Sequence, residues 1–336
     1  MDNQALINHA VAYLQSAGAP GRALLRSNGN PGVLRTNDVL RKEEWQQLDD
    51  VLVGVARQRL IGVGDLRSRG LTENLNGLGT ILSQYEQLGD MSAANVDYAG
   101  VTDGEKDSVS FTLVSVPIPI THKNFAIDIR RLMASRGANA VGAPIDRTQV
   151  EVAAMKVAEQ LEEVLFNGDT GGTVQSGAGV TTANSLLGYF NAPDVNSVSG
   201  SDWGTAANAT TDIIAAIDKN EADKYWGPYV AYVSTTQFGQ LRAFFTDGSG
   251  DQIFDRLKRL NGLEDVRPGD RLSDGRAVLV TMQRSVVDYA VGQDMTVVEW
   301  ETKGGMQSNF KVFAASAPRV KSDSADGSGI TKLTGI

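Results

Sequence analysis

Residues 146–168 read DRTQVEVAAMKVAEQLEEVLFNG, and this stretch decides how the chain is organised. Val150, Ala153, Ala154, Val157, Leu161, Val164 and Leu165 recur at helical spacing and make one apolar stripe. Asp146 is placed to act as N-cap, with Gln149 three residues on reaching back as a capping box. Asn167-Gly168 supplies a left-handed stop. About 20 residues at ~1.5 Å of rise give a rod of roughly 30 Å, enough to cross a small domain. A β-rich, glycine-rich stretch precedes the rod and a mixed α/β region follows it. The expected arrangement is a spine carrying two lobes.

Upstream, residues 41–61 (RKEEWQQLDDVLVGVARQRLI) predict an amphipathic helix with Trp45, Leu48, Leu52 and Val55 on one face, ended by Gly62 and Gly64. Before it, residues 1–40 hold a short helical stretch and then GAPGRALLRSNGNPG, which has too little apolar area to fold alone and reads as an arm. Residues 65–108 show no sustained period. SVSFTLVSVPIPI then alternates as a strand, with Val109, Phe111 and Leu113 on one face and Val114, Val116, Ile118 and Ile120 on the other. Pro117 and Pro119 lack ladder donors and confine it to an edge. FAIDI (Phe125, Ile127, Ile129) is a second alternating strand, and the two together predict a long two-stranded excursion. Such a ribbon is marginal alone, and a neighbouring subunit is its natural support.

After the spine, GDTGGTVQSGAGVTTAN reads as a hinge loop. It has no P-loop lysine and follows a helix, where a nucleotide fingerprint follows a strand. Residues 205–220, TQFGQLRAFF and DQIFDRLKRL read as helices, while PYVAYVST, RAVLVTMQ and VVDYAVG read as strands of an α/β lobe. MTVVEWE and NFKVFAASAPRV make a terminal strand pair, and SDSADGSGITKLTGI reads as a polar, poorly ordered tail.

The 336 residues carry 40 acidic and 31 basic side chains, a net charge of −9, which speaks against a dedicated nucleic-acid reader. Residues 1–42 run the other way, with Arg22, Arg26, Arg35, Arg41 and Lys42 against Asp2 and Asp38; this is either a solvated arm or a phosphate-facing one. Cysteine is absent, which fits a cytosolic protein and leaves no thiolate chemistry. No apolar run is long enough to span a membrane, and the first residues are not a secretory signal. The 36 glycines imply many turns and long loops.

Catalytic patterns are missing. His9 and His122 have no serine or acid at a recognisable spacing. Asp247, Ser249 and Asp251 mimic a calcium loop, but its sixth position is Gln252 and its twelfth Lys258. Glu159, Glu162 and Glu163, with Lys156 nearby, read as the polar face of the spine and not as an acid/base pair. No metal or cofactor is expected.

The order of stretches resembles the major capsid proteins of tailed phages with the Hong Kong 97-type fold, and the related encapsulin shells. KEEWQQLDDVLVGVARQRLIG is similar to the helix near the start of encapsulins. SVPIPITHKNFAIDIRRLMASR resembles the proline-bearing strand and the strand before the spine; the spine itself, GPYVAYVSTTQFGQLR and GQDMTVVEWE also match in order, over roughly residues 41–320. The resemblance implies an α+β fold divided into an arm (1–40), an N-terminal helix (41–64) and an extended loop over a neighbour (65–118). It further implies a peripheral domain (119–184 and 289–322) with spine helix 146–168, an axial domain (185–288) around five- and six-fold centres, and a tail (323–336).

The function implied is a major capsid subunit that self-assembles as pentamers and hexamers around the double-stranded DNA of a tailed phage, assembled in the host cytoplasm and residing in the virion. Its expected partners are other copies of itself, a portal, and scaffold or decoration proteins, with no membrane. The expected inter-subunit contacts are Arg22, Arg26, Arg35, Trp45, Tyr85, Tyr98, Lys106, Glu159 and Glu163. The forty residues before the Trp45 helix favour a phage capsid over the rival, an encapsulin shell enclosing cargo enzymes. An α/β enzyme is the more distant alternative and would need a polar pocket that no motif announces. A non-shell surface protein would be expected to show a secretion signal.

Overall fold

The spine forms as its periodicity predicts. In a computed structural model, which describes residues 34–35, 52, 54, 60–89, 91–94, 96, 98, 106–131, 145–168, 186–192, 194–245, 250–323 and 327–336, a short helix α1 (Ile61–Ser68) lies against a 23-residue helix α2 (Ile145–Asn167). Val150, Ala153, Ala154, Val157, Leu161, Val164 and Leu165 are all buried. Helix α2 begins one residue before the expected cap, so Asp146 sits in the first turn. It ends on Gly168, whose φ of +65° suits glycine. The chain then comes back across the helix end. The backbone N–H groups of Tyr189 and Phe190 donate to the carbonyls of Leu165 and Phe166 at 3.0 and 2.9 Å, partnering acceptors that a helix end otherwise leaves open.

Helix α1 corrects two expectations. Gly62 and Gly64 do not end a helix; α1 runs through both. A Cβ on Gly62 would lie 2.7 Å from Leu165 Cδ2 and 3.2 Å from Glu162 Oε2, so this glycine permits the close approach of α1 to the spine. Nor is Glu162 on a polar face. It is buried, and its carboxyl oxygens accept from the N–H groups of Gly62 (3.2 Å) and Val63 (3.0 Å) at the start of α1. Those two donors have no partner inside their own helix, and Glu162 supplies one from the spine. Burial raises the Glu162 carboxyl to about 8 despite the two donated bonds, with Asp270 and Asp65 adding to the rise. Glu159 and Glu163 stay half-buried on the spine. Glu159 pairs with Lys156 (2.8 Å) and Arg271 (3.5 Å), and Glu163 accepts from Asn167 (2.9 Å).

The spine and α1 pack on a first sheet. Its long strands are β10 (Val287–Thr302) and β11 (Gln307–Val320), turning through Lys303, Gly304 and Gly305 at positive φ. VVDYAVG and MTVVEWE, read as separate strands, are thus one continuous β10. Strand β5 (Ile120–Asp128) adds antiparallel to β11, while β1 (Leu34–Arg35) and β2 (Thr72–Asn74) add in parallel to β10. Phe125 on β5 and Phe310 on β11 are register partners, with stacked rings 5.1 Å apart.

A second sheet has the order β6 (Asn196–Ser199), β12 (Ile330–Thr334), β9 (Arg276–Thr281), β7 (Tyr229–Val233), β8 (Leu263–Pro268). Helices α3 (Ala206–Ala222), α4 (Thr235–Gln240) and α5 (Ile253–Lys258) belong to this half, around a core that includes fully buried Trp203, whose Nε1 donates to Asp212. Strand β12 corrects the expected poorly ordered tail. ITKLT alternates, Ile330 and Leu333 are buried, and Thr331 donates to Asn220 at 2.6 Å. An interior ladder position between β6 and β9 gives this segment both its hydrogen-bond partners and its apolar floor. The two halves meet where Phe166 of the spine packs on Tyr189 and on Tyr232 of β7, with centroids 5.8 and 5.2 Å apart. There Asp65 of α1 accepts from the Tyr232 hydroxyl (2.8 Å) and from Arg267 of β8.

Two outcomes follow from the α1–spine contact. Gly62→Ala should destabilise the fold by about 1–3 kcal/mol through overpacking, whereas Gly64→Ala, with nothing within 4 Å of its new Cβ, should stabilise it by about 0.5–1 kcal/mol. Urea unfolding followed by tryptophan fluorescence checks both. The folded state also keeps a proton on Glu162 that the unfolded chain releases near its ordinary 4.5, so this group's contribution to stability is lost as pH rises from about 4.5 to about 8. Over that window Glu162→Gln should gain on the parent by on the order of 1–3 kcal/mol; parallel stability curves for the two proteins would sink this assignment.

Candidate functional site

A two-stranded ribbon forms, but from other strands than the sequence reading paired. SVSFTLVSVP supplies β4 (Phe111–Pro117), which pairs antiparallel with β3 (Leu82–Leu88), from Leu82 opposite Pro117 to Leu88 opposite Phe111. FAIDI does not join it, because that strand completes the first sheet as β5. Pro117 therefore ends a strand whose only ladder partner among the described residues is β3, in keeping with its missing donor.

The ribbon has two faces. Val116 and Ile118 are buried against Val164, Ala290, Ala315 and Ala317. On the opposite face, Phe111 is 67% and Leu113 59% exposed, while at the other end of the ribbon Leu82, opposite Pro117, is 45% and Ile81 before it 74% exposed. Beyond the ribbon, Met91, Val96 and Tyr98 are exposed as well. Large apolar side chains left exposed at both ends of a two-stranded ribbon make it a candidate contact surface, since isolated ribbons of this kind are marginal.

A cluster of polar contacts holds the ribbon's root. Arg319 of β11 is buried and donates from Nε and Nη2 to Asp288 of β10 at 2.5 and 2.6 Å. The same guanidinium donates to Ser83 of β3 (2.9 Å) and to Glu73 of β2. Lys321 reaches Asp288 at 2.7 Å. Burial alone would push the Arg319 guanidinium down; its bonds to Asp288 and Glu73 outweigh that and raise it. Alongside, the Tyr85 hydroxyl donates to the Val320 carbonyl (3.0 Å), and Gln87 donates to Ser322 (3.2 Å) and to the Asp323 carbonyl (2.8 Å). Between ribbon and body lies a cleft of about 210 Å³ bordered by Tyr85, Gln87, Val114, Asp194, Val320 and Ser322.

Of the contact residues expected from sequence, Tyr85 sits at this root, its hydroxyl engaged within the chain. Tyr98 and Lys106 are exposed beyond the paired strands. Glu159 and Glu163 lie apart from the ribbon on the spine. Arg35 lies in β1 opposite Glu299, while Arg22, Arg26 and Trp45, like His9, Asp247, Ser249 and the 169–185 loop, fall outside the described residues. The Arg319 cluster went unread in the sequence. Its signal was there: an arginine and an aspartate inside the otherwise apolar strands VFAASAPRV and VVDYAV, where a charge is tolerated only when paired.

His122 is exposed on β5. Among the described residues no group of His, Asp and Glu has the arrangement of a metal site, and no helix is long and apolar enough to cross a membrane.

The comparisons with known proteins agree with a shell-building geometry. The family model described as encapsulating protein for peroxidase matches residues 34–314. The chain is 27% identical over 299 residues to the type 1 encapsulin shell protein EncA of Myxococcus xanthus, covering 87% of this chain and 96% of that protein. It is 23% identical over 283 residues to a diheme-cytochrome-encapsulin shell fusion protein of Kuenenia stuttgartiensis, covering 84% of this chain and 71% of that protein. Among solved structures, a virus-like particle from Pyrococcus furiosus superposes with a TM-score of 0.60 at 17% identity, over 87% of this chain and 99% of the other. The capsid of Myoviridae phage XM1 does so with 0.61 at 15% identity, over 82% and 92%. These structures establish the α+β Hong Kong 97-type fold, and the family model with the shell-protein relative places the chain among shell-forming structural proteins and not enzymes. With its match running from β1 into β11, the chain belongs to the Linocin_M18 family, the encapsulating proteins for peroxidase.

Proposed function

We propose that this protein is the shell subunit of an encapsulin-type compartment, closing in many copies around a protein cargo in the cytoplasm where shell and cargo are made together. The observation that carries this reading is the match to an encapsulin shell protein across 96% of that protein's length, reinforced by the family model. Superposition does not discriminate, because the phage capsid and the virus-like particle score alike. The encapsulin reading therefore takes precedence over the tailed-phage capsid expected from the sequence, and genome, portal and scaffold partners fall with that second reading.

In a shell, the exposed apolar face of the ribbon would be covered by a neighbouring copy. Many modest contacts made together give the avidity that a single one lacks. Closed symmetry would satisfy every copy's contacts at once. Tyr98 and Lys106, beyond the ribbon, and Glu159 and Glu163 on the spine remain assigned to inter-subunit contact. The half built on the second sheet is assigned to the symmetry axes, and the half built on the first sheet and spine to the periphery.

Expression of the chain alone, followed by size-exclusion chromatography and negative-stain imaging with and without nuclease, should give closed particles of one size. Particles isolated from the source cells should hold a protein released only on shell disassembly. Nuclease-protected nucleic acid in its place would favour the phage capsid. A monomer or dimer that stays small at high concentration would overturn both.

A further inference from the structure

We infer that Arg319, acting through Ser83, Glu73 and the neighbouring Tyr85, is a positioning residue that fixes the angle at which the ribbon leaves the body, and that this angle determines whether the shell closes at a single size. This inference rests on the shell-forming reading. The first observation is what the contact at the root is made of. Where β3 and β4 leave the body, a cleft of about 210 Å³ separates Tyr85, Gln87 and Val114 from Asp194, Val320 and Ser322. Val116, Ile118 and Tyr85 pack on the body at one side of the root, and that packing gives way beside the cleft.

Directed polar bonds bridge the gap. Arg319 lies 2% exposed in β11, is anchored by two bonds to Asp288 in β10, and turns its remaining donors outward to Ser83 on β3 and Glu73 on β2. A guanidinium is a rigid planar fork, so anchoring one edge on Asp288 fixes where the other edge points. Tyr85, two residues along β3 and on the same face, donates to Val320, next to Arg319 in sequence. Arg319 and Lys321 also lie 6.0 and 5.6 Å from the Tyr85 ring centroid. Non-directional burial tolerates a range of tilts, whereas these bonds hold at one.

A closed shell needs each copy to present its contact at the same angle, because a heterologous contact that varies in angle does not close at one size. Ser83→Ala with Tyr85→Phe removes the ribbon's bonds to Arg319 and to the Val320 carbonyl and leaves the buried Arg319–Asp288 pair intact. Losing two such bonds relaxes the preferred orientation by ~10–100-fold. The variant should remain folded, with an unfolding midpoint close to the parent's, but should form particles of mixed diameter or incomplete shells. Thr112→Ala, on the face of β4 turned away from Phe111 and Leu113 and beyond the root, lowers the ribbon's strand propensity and should leave the parent's particle size unchanged, which a generally weakened ribbon would not.

If the double root variant does not fold, Tyr85→Phe alone carries the same expectation. Root variants that close at the parent's single diameter would overturn the role of the joint while leaving the shell reading intact. A parent that forms no closed particles would overturn both.

Discussion

The antiparallel pairing of β10 with β11 is the constraint on which the rest of the molecule depends. The spine packs on β11 and on β5 beside it, the pair's edges accept β5 on one side and β1 and β2 on the other, and its far end carries the Arg319–Asp288 pair. Near the hairpin, where β11 alternates between half-buried and buried from Gln307 to Val312, a slip of one residue would exchange the two faces. The pairing also shifts register between Val291 and Thr296. Such irregularities bend and twist a strand locally, and this one lies just beyond the stretch of β10 that receives β2.

Periodic elements were legible in the sequence; joints were not. The spine's stripe, the all-buried run Tyr229–Val233, helix α3 and strand β11 each carry a local pattern strong enough to declare them. What failed were decisions that only long-range partners make. Gly62 looked like a stop signal because the spine against which it packs lies a hundred residues away. Glu162 looked solvated beside Glu159 and Glu163, until two backbone donors from α1 required it inside. ITKLT looked like a tail because its value as a strand depends on vacant ladder edges on β6 and β9. FAIDI was rightly read as a strand but given the wrong neighbour, because alternation specifies a face and not a partner. The shell-forming class was legible in the order of the elements, whereas the choice between cargo and genome had no carrier in any single motif.

The two buried acid centres solve different problems. Arg319 and Asp288 form a charge pair deep in the first sheet, and removing one partner from such a pair costs about 3–5 kcal/mol because the other is stranded. Glu162 has no cation beside it among the described residues; it serves as an acceptor for helix-end donors and is driven toward its neutral form by burial. The first arrangement is directional and well suited to holding an angle. The second sacrifices ionisation to make a helix meet the spine closely.

The order in which strands enter the two sheets has a consequence for modularity. The chain lays down β6 to β9 in the second sheet, crosses to build β10 and β11 in the first, and then crosses back to insert β12 into the second sheet's interior. Its two halves are therefore laced together, and no single cut separates them with both sheets whole. Exchange of parts between relatives is hard to achieve for either half. The ribbon is different, since β3 and β4 pair with each other and leave both sheets intact. Variation among related shells has a permissive outlet there, while the laced body changes only as a unit.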